Sequence, residues 1–432
     1  MPEKNAPMRV LWFVNTAFPA MDRHLGKEEY LGTGWWVKAT ANEMAKLEGL
    51  EIGVAWASSE VRKYERFEEE GFVYYLIPQH PFSVKRRNII SRIWSRLNRV
   101  FSTFLPYRYE NEIRDCVRAV DDFKPDVVHV WGTENFYGLI CNKINVPVLI
   151  KLQGLLSVIQ IDYWGGLKLR ERASMPNEIL YYLDTKKRAK NEIKIVRENR
   201  FFEGRTLWDY SHMREYNTSA SYYDIPEMMR PSFYVSEWEI EKAKRYTVYT
   251  TSRSMPPKGV LCLLKSISIV RKYIPDVQLR IGGHTGNVEY GRHIKKMMSD
   301  LELDSSVTFL GPVSENEIIR ELLSAHVYVL PSFIENSSNS LIEAEMVGVP
   351  CIASYVGGSP SLMSEEETGL FFQKGDSAML AMNIQRVFND DELAIRLSKG
   401  AREFALDRFS KDRVIGGILS AYKEIVEQED AG

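Results

Sequence analysis

VYVLPSFIENSSNSLIEAEMVGVPCIASYVGGSP, residues 327–360, is the stretch on which the reading of this chain turns. Val327 to Leu330 is a short apolar run of the kind that forms a fully buried strand. A polar loop follows, then a helical stretch from Ser340 to Val347, then a Gly348-Val349-Pro350 stop. Cys351 to Ser354 is a second strand, leading to Gly357-Gly358. Glu335 and Glu343 bracket the loop and the first helical turn, with seven residues between them. A helix N-terminus gathers unpaired N–H groups and the positive end of the helix dipole, so it suits a phosphate or another anion. Carboxylates repel an anion but accept bonds from hydroxyls, so this pair points to a polyol. Phosphate and sugar together describe a nucleotide-sugar. Ser340-Leu341-Ile342-Glu343 also has the form of a capping box, in which Glu343 merely reaches back to the cap N–H. On this stretch alone both readings stand.

Upstream, the second half of the chain repeats the same grammar. Strands are expected at Tyr246 to Thr251, Val277 to Ile281 and Val307 to Leu310, alternating with helices at Lys258 to Tyr273, His293 to Leu301 and Glu315 to Leu323. The loops after these strands carry Arg253 and Lys258, then Gly282-Gly283, then Gly311-Pro312-Val313. All leave the carboxyl edge of one sheet, where α/β folds bind ligands. Arg253 offers a planar fork and Lys258 a point charge, and together they can clamp a diphosphate from two directions.

The first half opens with a buried strand at Arg9 to Val14, a glycine loop containing Gly32-Thr33-Gly34, a helix from Trp35 to Leu47 and a strand at Glu51 to Trp56. The loop lacks the G-x-G-x-x-G dinucleotide fingerprint. Further strands are expected at Phe72 to Ile77, Pro125 to Trp131 and Val146 to Leu152, with a helix from Glu134 to Ile144 completing a crossover. His129 falls near one strand tip and Gln153 at another. Lys168 to Arg200 reads as exposed helices. From Pro81 to Tyr109 there are seven basic residues and no acidic one, with apolar residues at helical spacing. Residues 84–105 therefore suit either an anionic membrane surface or a helix packed on the core.

The length allows two domains of about 200 residues each. A net charge of −2 gives no argument for nucleic acid. The cysteines (Cys116, Cys141, Cys262, Cys351) have no paired spacing and read as reduced thiols of a cytoplasmic protein. Met1 to Met8 is mostly polar, so no secretory signal is expected. No apolar run approaches the roughly 20 residues that span a bilayer.

Four elements together resemble the retaining glycosyltransferases of family 4. They are Arg253 with Lys258-Gly259, the Gly282-Gly283 strand end, Phe309 to Val313, and Glu335 to Glu343 followed by Gly348-Val349-Pro350 and Val356-Gly357-Gly358. Trp131 to Glu134 and Gly204 to Asp209 are similar to bacterial members that build surface polysaccharides of the capsular or lipopolysaccharide kind. The resemblance implies an α/β protein of GT-B architecture, two doubly wound parallel-sheet domains facing across a cleft. Residues 1–240 would bind the acceptor and 241–410 the nucleotide-sugar, with 411–432 packing back on the first domain.

The resemblance also implies roles. Arg253 and Lys258 would hold the diphosphate and stabilise the leaving group, and Glu335 would face the donor sugar. Glu343 would take the ribose hydroxyls, backbone N–H groups of Asn339, Ser340 and Leu341 would meet phosphate and sugar, and Gly283 and Val313 would lie near the base. Gly34, Gln153 and His129 are expected on the acceptor or sugar side. Many members carry histidine where Gln153 stands; Gln153 can bind a hydroxyl but cannot act as a base. No Asp-x-Asp pair occurs, so no metal and no cofactor are expected. The expected partners are a nucleotide-sugar, UDP preferred over GDP, and a saccharide or lipid-linked saccharide acceptor, at a cytoplasmic location or on the inner face of the membrane. The competing readings are a nucleotide-sugar epimerase of the same architecture and a non-catalytic sugar-nucleotide-binding protein.

Overall fold

The computed structural model describes residues 7–28, 34–79, 109–252, 255–283 and 288–430. Arg253, the Gly32-Thr33 pair and the basic segment 84–105 lie outside the described residues. The first half contributes strands β1 (Met8–Val14), β2 (Leu50–Ser58), β3 (Glu65–Glu69), β4 (Phe72–Pro78), β5 (Val127–Trp131), β6 (Val148–Lys151), β7 (Phe201–Gly204) and β8 (Ser221–Asp224). They form one sheet in the order β3-β4-β2-β1-β5-β6-β7-β8. The sheet is mixed, because β3 runs antiparallel to β4 at one edge. The second half contributes β9 (Thr247–Thr251), β10 (Gln278–Gly282), β11 (Val307–Gly311), β12 (Val327–Leu330), β13 (Cys351–Ser354) and β14 (Leu370–Phe372). These form a parallel sheet in the order β11-β10-β9-β12-β13-β14.

The strands that read as continuous apolar runs are central and buried on both faces, as β1, β5, β12 and β13 show. The quoted stretch becomes β12, a loop, the helix Asn339–Val347 and β13. That helix stops at Gly348, which turns left-handed and returns its N–H to Ala344 and Glu345. The expected helix at Glu134 to Ile144 is instead the short 3-10 helix Tyr137–Lys143. Gly138 there packs so tightly that a Cβ would fall 2.5 Å from Ile195 Cγ2. The Tyr137 hydroxyl ties this turn to the sheet by donating to the Val14 carbonyl and accepting from the Ala57 N–H. The helix Pro176–Glu198 is exposed on one side only; Thr185, Ala189, Glu192, Ile195 and Val196 form its buried stripe.

One departure and one expected contact concern where the halves meet. Met229, Phe233, Trp238 and Ile240, ahead of residue 241, pack into the core of the second sheet, as do Tyr163, Trp164 and Leu167. The last helix, Lys411–Asp430, lays Ile415, Ile418, Tyr422 and Ile425 against Val10, Trp12 and Val54 of the first sheet. No helix among the described residues is long and apolar enough to cross a membrane.

Candidate active site

The carboxyl ends of β9 and β12 carry two loops pressed together. Phe333 N–H donates to the Pro257 carbonyl at 2.7 Å. Gly259, at φ +70°, brings its backbone so near that a Cβ would sit 1.8 Å from the Pro331 carbonyl oxygen. Only glycine meets both conditions. On the far side Gly357, at φ +50°, approaches the Glu335 carbonyl just as closely, and Gly358 N–H donates to that carbonyl at 3.0 Å. The Glu335 loop is therefore gripped by two glycine contacts. Within it Lys258 Nζ donates to Glu335 Oε1 at 2.5 Å, and Ser332 Oγ donates to the same oxygen at 2.8 Å.

The first domain faces this pair with the loop after β6. Gln153 Nε2 donates to Glu227 Oε1 at 2.7 Å, and Arg205 Nη1 meets Glu227 Oε2 at 2.6 Å. Arg205 and Glu227 are both buried. With one amide N–H committed to Glu227, Gln153 keeps its amide oxygen as an acceptor for a hydroxyl. The two domains are joined at Asn336, next to Glu335. Its Nδ2 donates to the Gln153 carbonyl at 2.8 Å and Asp209 Oδ2 at 3.0 Å, while its Oδ1 accepts from Thr206 Oγ1 at 2.7 Å. Gln153, Lys258, Glu335, Asn339 and Ser340 all line one interdomain cavity of about 530 Å³, together with Trp36, Tyr181 and Arg205.

The other expected residues are distributed differently. Gly283 N–H donates to the Gly311 carbonyl at 2.8 Å, and a Cβ on Gly282 would lie 3.2 Å from Val313 Cγ2. The loops after β10 and β11 are thus laced together, beside the cavity rather than lining it. Leu341 is buried, and its N–H is used by the Ser338 carbonyl at 3.0 Å. Its N–H is thus already bonded, whereas the helix start at Asn339 and Ser340 opens on the cavity. Gly34 sits left-handed at the start of the helix Trp35–Met44, packed on Thr16, and the wall there is Trp36. His129 is not at the strand tip. It is wholly buried, stacked on Trp131 at 4.7 Å, with Nδ1 2.6 Å from the Tyr422 hydroxyl and Nε2 3.4 Å from Glu203. Burial lowers its pKa, with Glu203 pulling the other way. His129 is a core residue beneath the last helix, out of reach of any ligand in the cleft.

Glu343 is not part of a capping box. The helix is capped by Ser338 with no side-chain bond, and Glu343 instead accepts from Arg230 Nη2. Burial pushes the Glu343 carboxyl up to about 7, with Arg230 pulling the other way. Sequence reasoning missed Arg205, Arg230, Trp36 and Asn336. Of these, Arg205 lay in the Gly204 to Asp209 segment already singled out, whereas Arg230 carries no local signature.

Residues 236–404, essentially the second sheet and its helices, match the family described as Glycosyl transferases group 1. A D-inositol 3-phosphate glycosyltransferase from Corynebacterium efficiens is 29% identical over 183 residues, 42% of this chain and 43% of that protein. The chain thus aligns with less than half the length of that relative. Among solved structures, sucrose-phosphate synthase from Thermosynechococcus elongatus superposes with a TM-score of 0.74 at 18% identity, covering 98% of this chain and all of that one. Anabaena HepE in complex with UDP-glucose superposes with a TM-score of 0.63 at 13% identity over the same share. Likeness at these identities is one of fold, the two-domain GT-B architecture.

Proposed function

From a glycosyltransferase group 1 domain set against a second α/β domain, we propose that this protein is a metal-independent retaining glycosyltransferase of family 4. It would move a hexosyl group from a nucleoside diphosphate sugar, UDP preferred, to a saccharide or lipid-linked saccharide in bacterial surface polysaccharide synthesis. The observation that carries the reading is the convergence of Lys258, Glu335, Gln153 and the Asn339–Ser340 helix start on one cavity. A cation, an anion-binding helix start and hydroxyl acceptors from both domains are what a sugar diphosphate and its acceptor require. The bound UDP-glucose named for the Anabaena structure fits the same donor class.

In the reaction the bond from the sugar C1 to the β-phosphate oxygen breaks, and its electron pair leaves with the nucleoside diphosphate. The acceptor hydroxyl oxygen bonds to C1 on the face the phosphate vacates, and its proton passes to the departing phosphate oxygen. Lys258, with Arg253, would oppose the charge growing on that oxygen, which is the usual large electrostatic term. Glu335 would exchange its Lys258 partner for the sugar's hydroxyls. Gln153 would steady an acceptor hydroxyl through its amide oxygen. The acceptor class rests on the resemblance of Trp131 to Glu134 and Gly204 to Asp209. An inner-membrane location rests on the composition of residues 84–105.

Melting temperatures measured with a panel of nucleoside diphosphates and their sugars test the donor side. A ligand at one hundred times its Kd stabilises the folded state by about 2.7 kcal/mol, which a thermal scan resolves. A rise with one nucleotide-sugar is expected, and no rise with any of the panel would defeat the reading.

A further inference from the structure

Arg230 lies at the crossing point of the two domains. Pro231 follows it and holds its backbone extended at φ −66°, ψ 138°, so the side chain leaves the chain in a fixed direction. The guanidinium carbon sits 5.0 Å from the centre of the Trp35 ring and 4.7 Å from that of Phe233. Nη2 donates to Glu343 Oε1, while Nη1 lies 3.7 Å from Glu315 Oε2. Glu315 accepts from Ser232 Oγ, which keeps that second carboxylate in place. Arg230 therefore touches the first domain through Trp35, which follows Gly34, and the second through Glu343.

We propose that Arg230 is the positioning residue of the ribose site: it holds the Glu343 carboxylate as a hydroxyl acceptor and ties that carboxylate to Trp35 of the opposite domain. The inference rests on the donor site proposed above. A carboxylate as buried as Glu343 needs a partner to present a lone pair in a set direction. Arg230 takes one oxygen and leaves the other for a diol. The planar guanidinium can bond Glu343 edge-on while its face lies on the indole, which a lysine ammonium cannot do. Trp35 also starts the helix that carries Trp36, a wall of the cavity.

Calorimetric titration of the full chain with UDP and with 2′,3′-dideoxy-UDP tests this, comparing wild type with Arg230→Ala, Arg230→Lys, Glu343→Gln and the Arg230→Ala/Glu343→Gln double variant. Arg230→Ala should weaken UDP by about tenfold or more, and Arg230→Lys should recover part of that loss. The loss should vanish with the dideoxy ligand and in the Glu343→Gln background. Arg230→Ala and Arg230→Lys both binding UDP like wild type would overturn the inference and leave the donor site standing. Equal losses for UDP and the dideoxy ligand would reduce Arg230 to a packing residue. A wild-type chain that binds neither UDP nor GDP would remove the donor reading and this inference with it. Should Arg230→Ala fail to fold, Arg230→Lys and Trp35→Ala supply the comparison, each expected to weaken UDP more than its dideoxy analogue.

Discussion

Lys258 and Glu335 neutralise each other, so a diphosphate bound as proposed would have to draw Lys258 away from a carboxylate 2.5 Å distant. Glu335→Gln should free Lys258, so UDP should bind as tightly as to wild type or tighter. Turnover should nevertheless fall by about a hundredfold, because the sugar loses its charged acceptor. Titration and nucleotide-release rates on the same preparation check both halves of that statement. These two residues were readable in the sequence because each follows a buried strand in a loop with its own grammar. Gln153 was readable for the same reason, but its partner Glu227 stands 74 residues away and gave no sign. His129 was misread because an apolar run does not show which of its residues ends the strand, nor that a helix 293 residues later covers it.

The helix Asn339–Val347 carries a second carboxyl with a different fate. Glu345 is fully buried, and neither of its oxygens has a hydrogen-bond partner among the described residues. Burial raises its pKa well above the usual carboxylate range. The folded chain then keeps a proton that the unfolded chain releases, so this group favours folding at low pH and loses that contribution as pH rises. Glu345→Gln should flatten the fall in melting temperature between about pH 5 and pH 8, a slope of at most about 1.4 kcal/mol per pH unit for one group. An unchanged pH profile would place the carboxyl in water. The first sheet holds the opposite case. Burial opposes the charge on Glu203, but Lys151 and His129 outweigh it and hold the carboxyl down to about 2. That contribution is present above the ordinary carboxylate range and is lost only as pH falls toward 2. Removing the cation is the sharper probe. Lys151→Met leaves the buried carboxylate with His129 alone facing it, and should cost about 3 kcal/mol or more in denaturant unfolding. Strands such as β5, β12 and β13 were readable because continuous burial writes itself as a continuous apolar run. β3, β8 and β14 were not, since five residues of alternating exposure, a half-exposed edge and a three-residue strand carry too little pattern.

Across the whole molecule, the cleft is closed by side chains that cross it. Asn336 is the central crossing, and Lys374 with Asp162 at 2.7 Å and Asn177 with Glu289 at 2.8 Å hold its flanks. Because Asn336 follows Glu335 directly, it sets the distance between Glu335 and Gln153 across the domains. Asn336→Ala should leave UDP affinity unchanged and lower turnover by about tenfold, the signature of lost alignment and not of lost binding. The two-domain plan was readable from the sequence, because each half carries its own β–α–β series. The crossings were not, since they join residues that only the folded chain makes neighbours. The cavity at Lys258 is proposed to split a nucleotide-sugar. The most direct test is the rate of nucleotide release from a UDP-sugar by the wild-type chain and by Lys258→Ala, measured side by side with both shown to be folded. Release by wild type and a loss of about a hundredfold or more in the variant is the predicted result. Equal rates in the two proteins would contradict it.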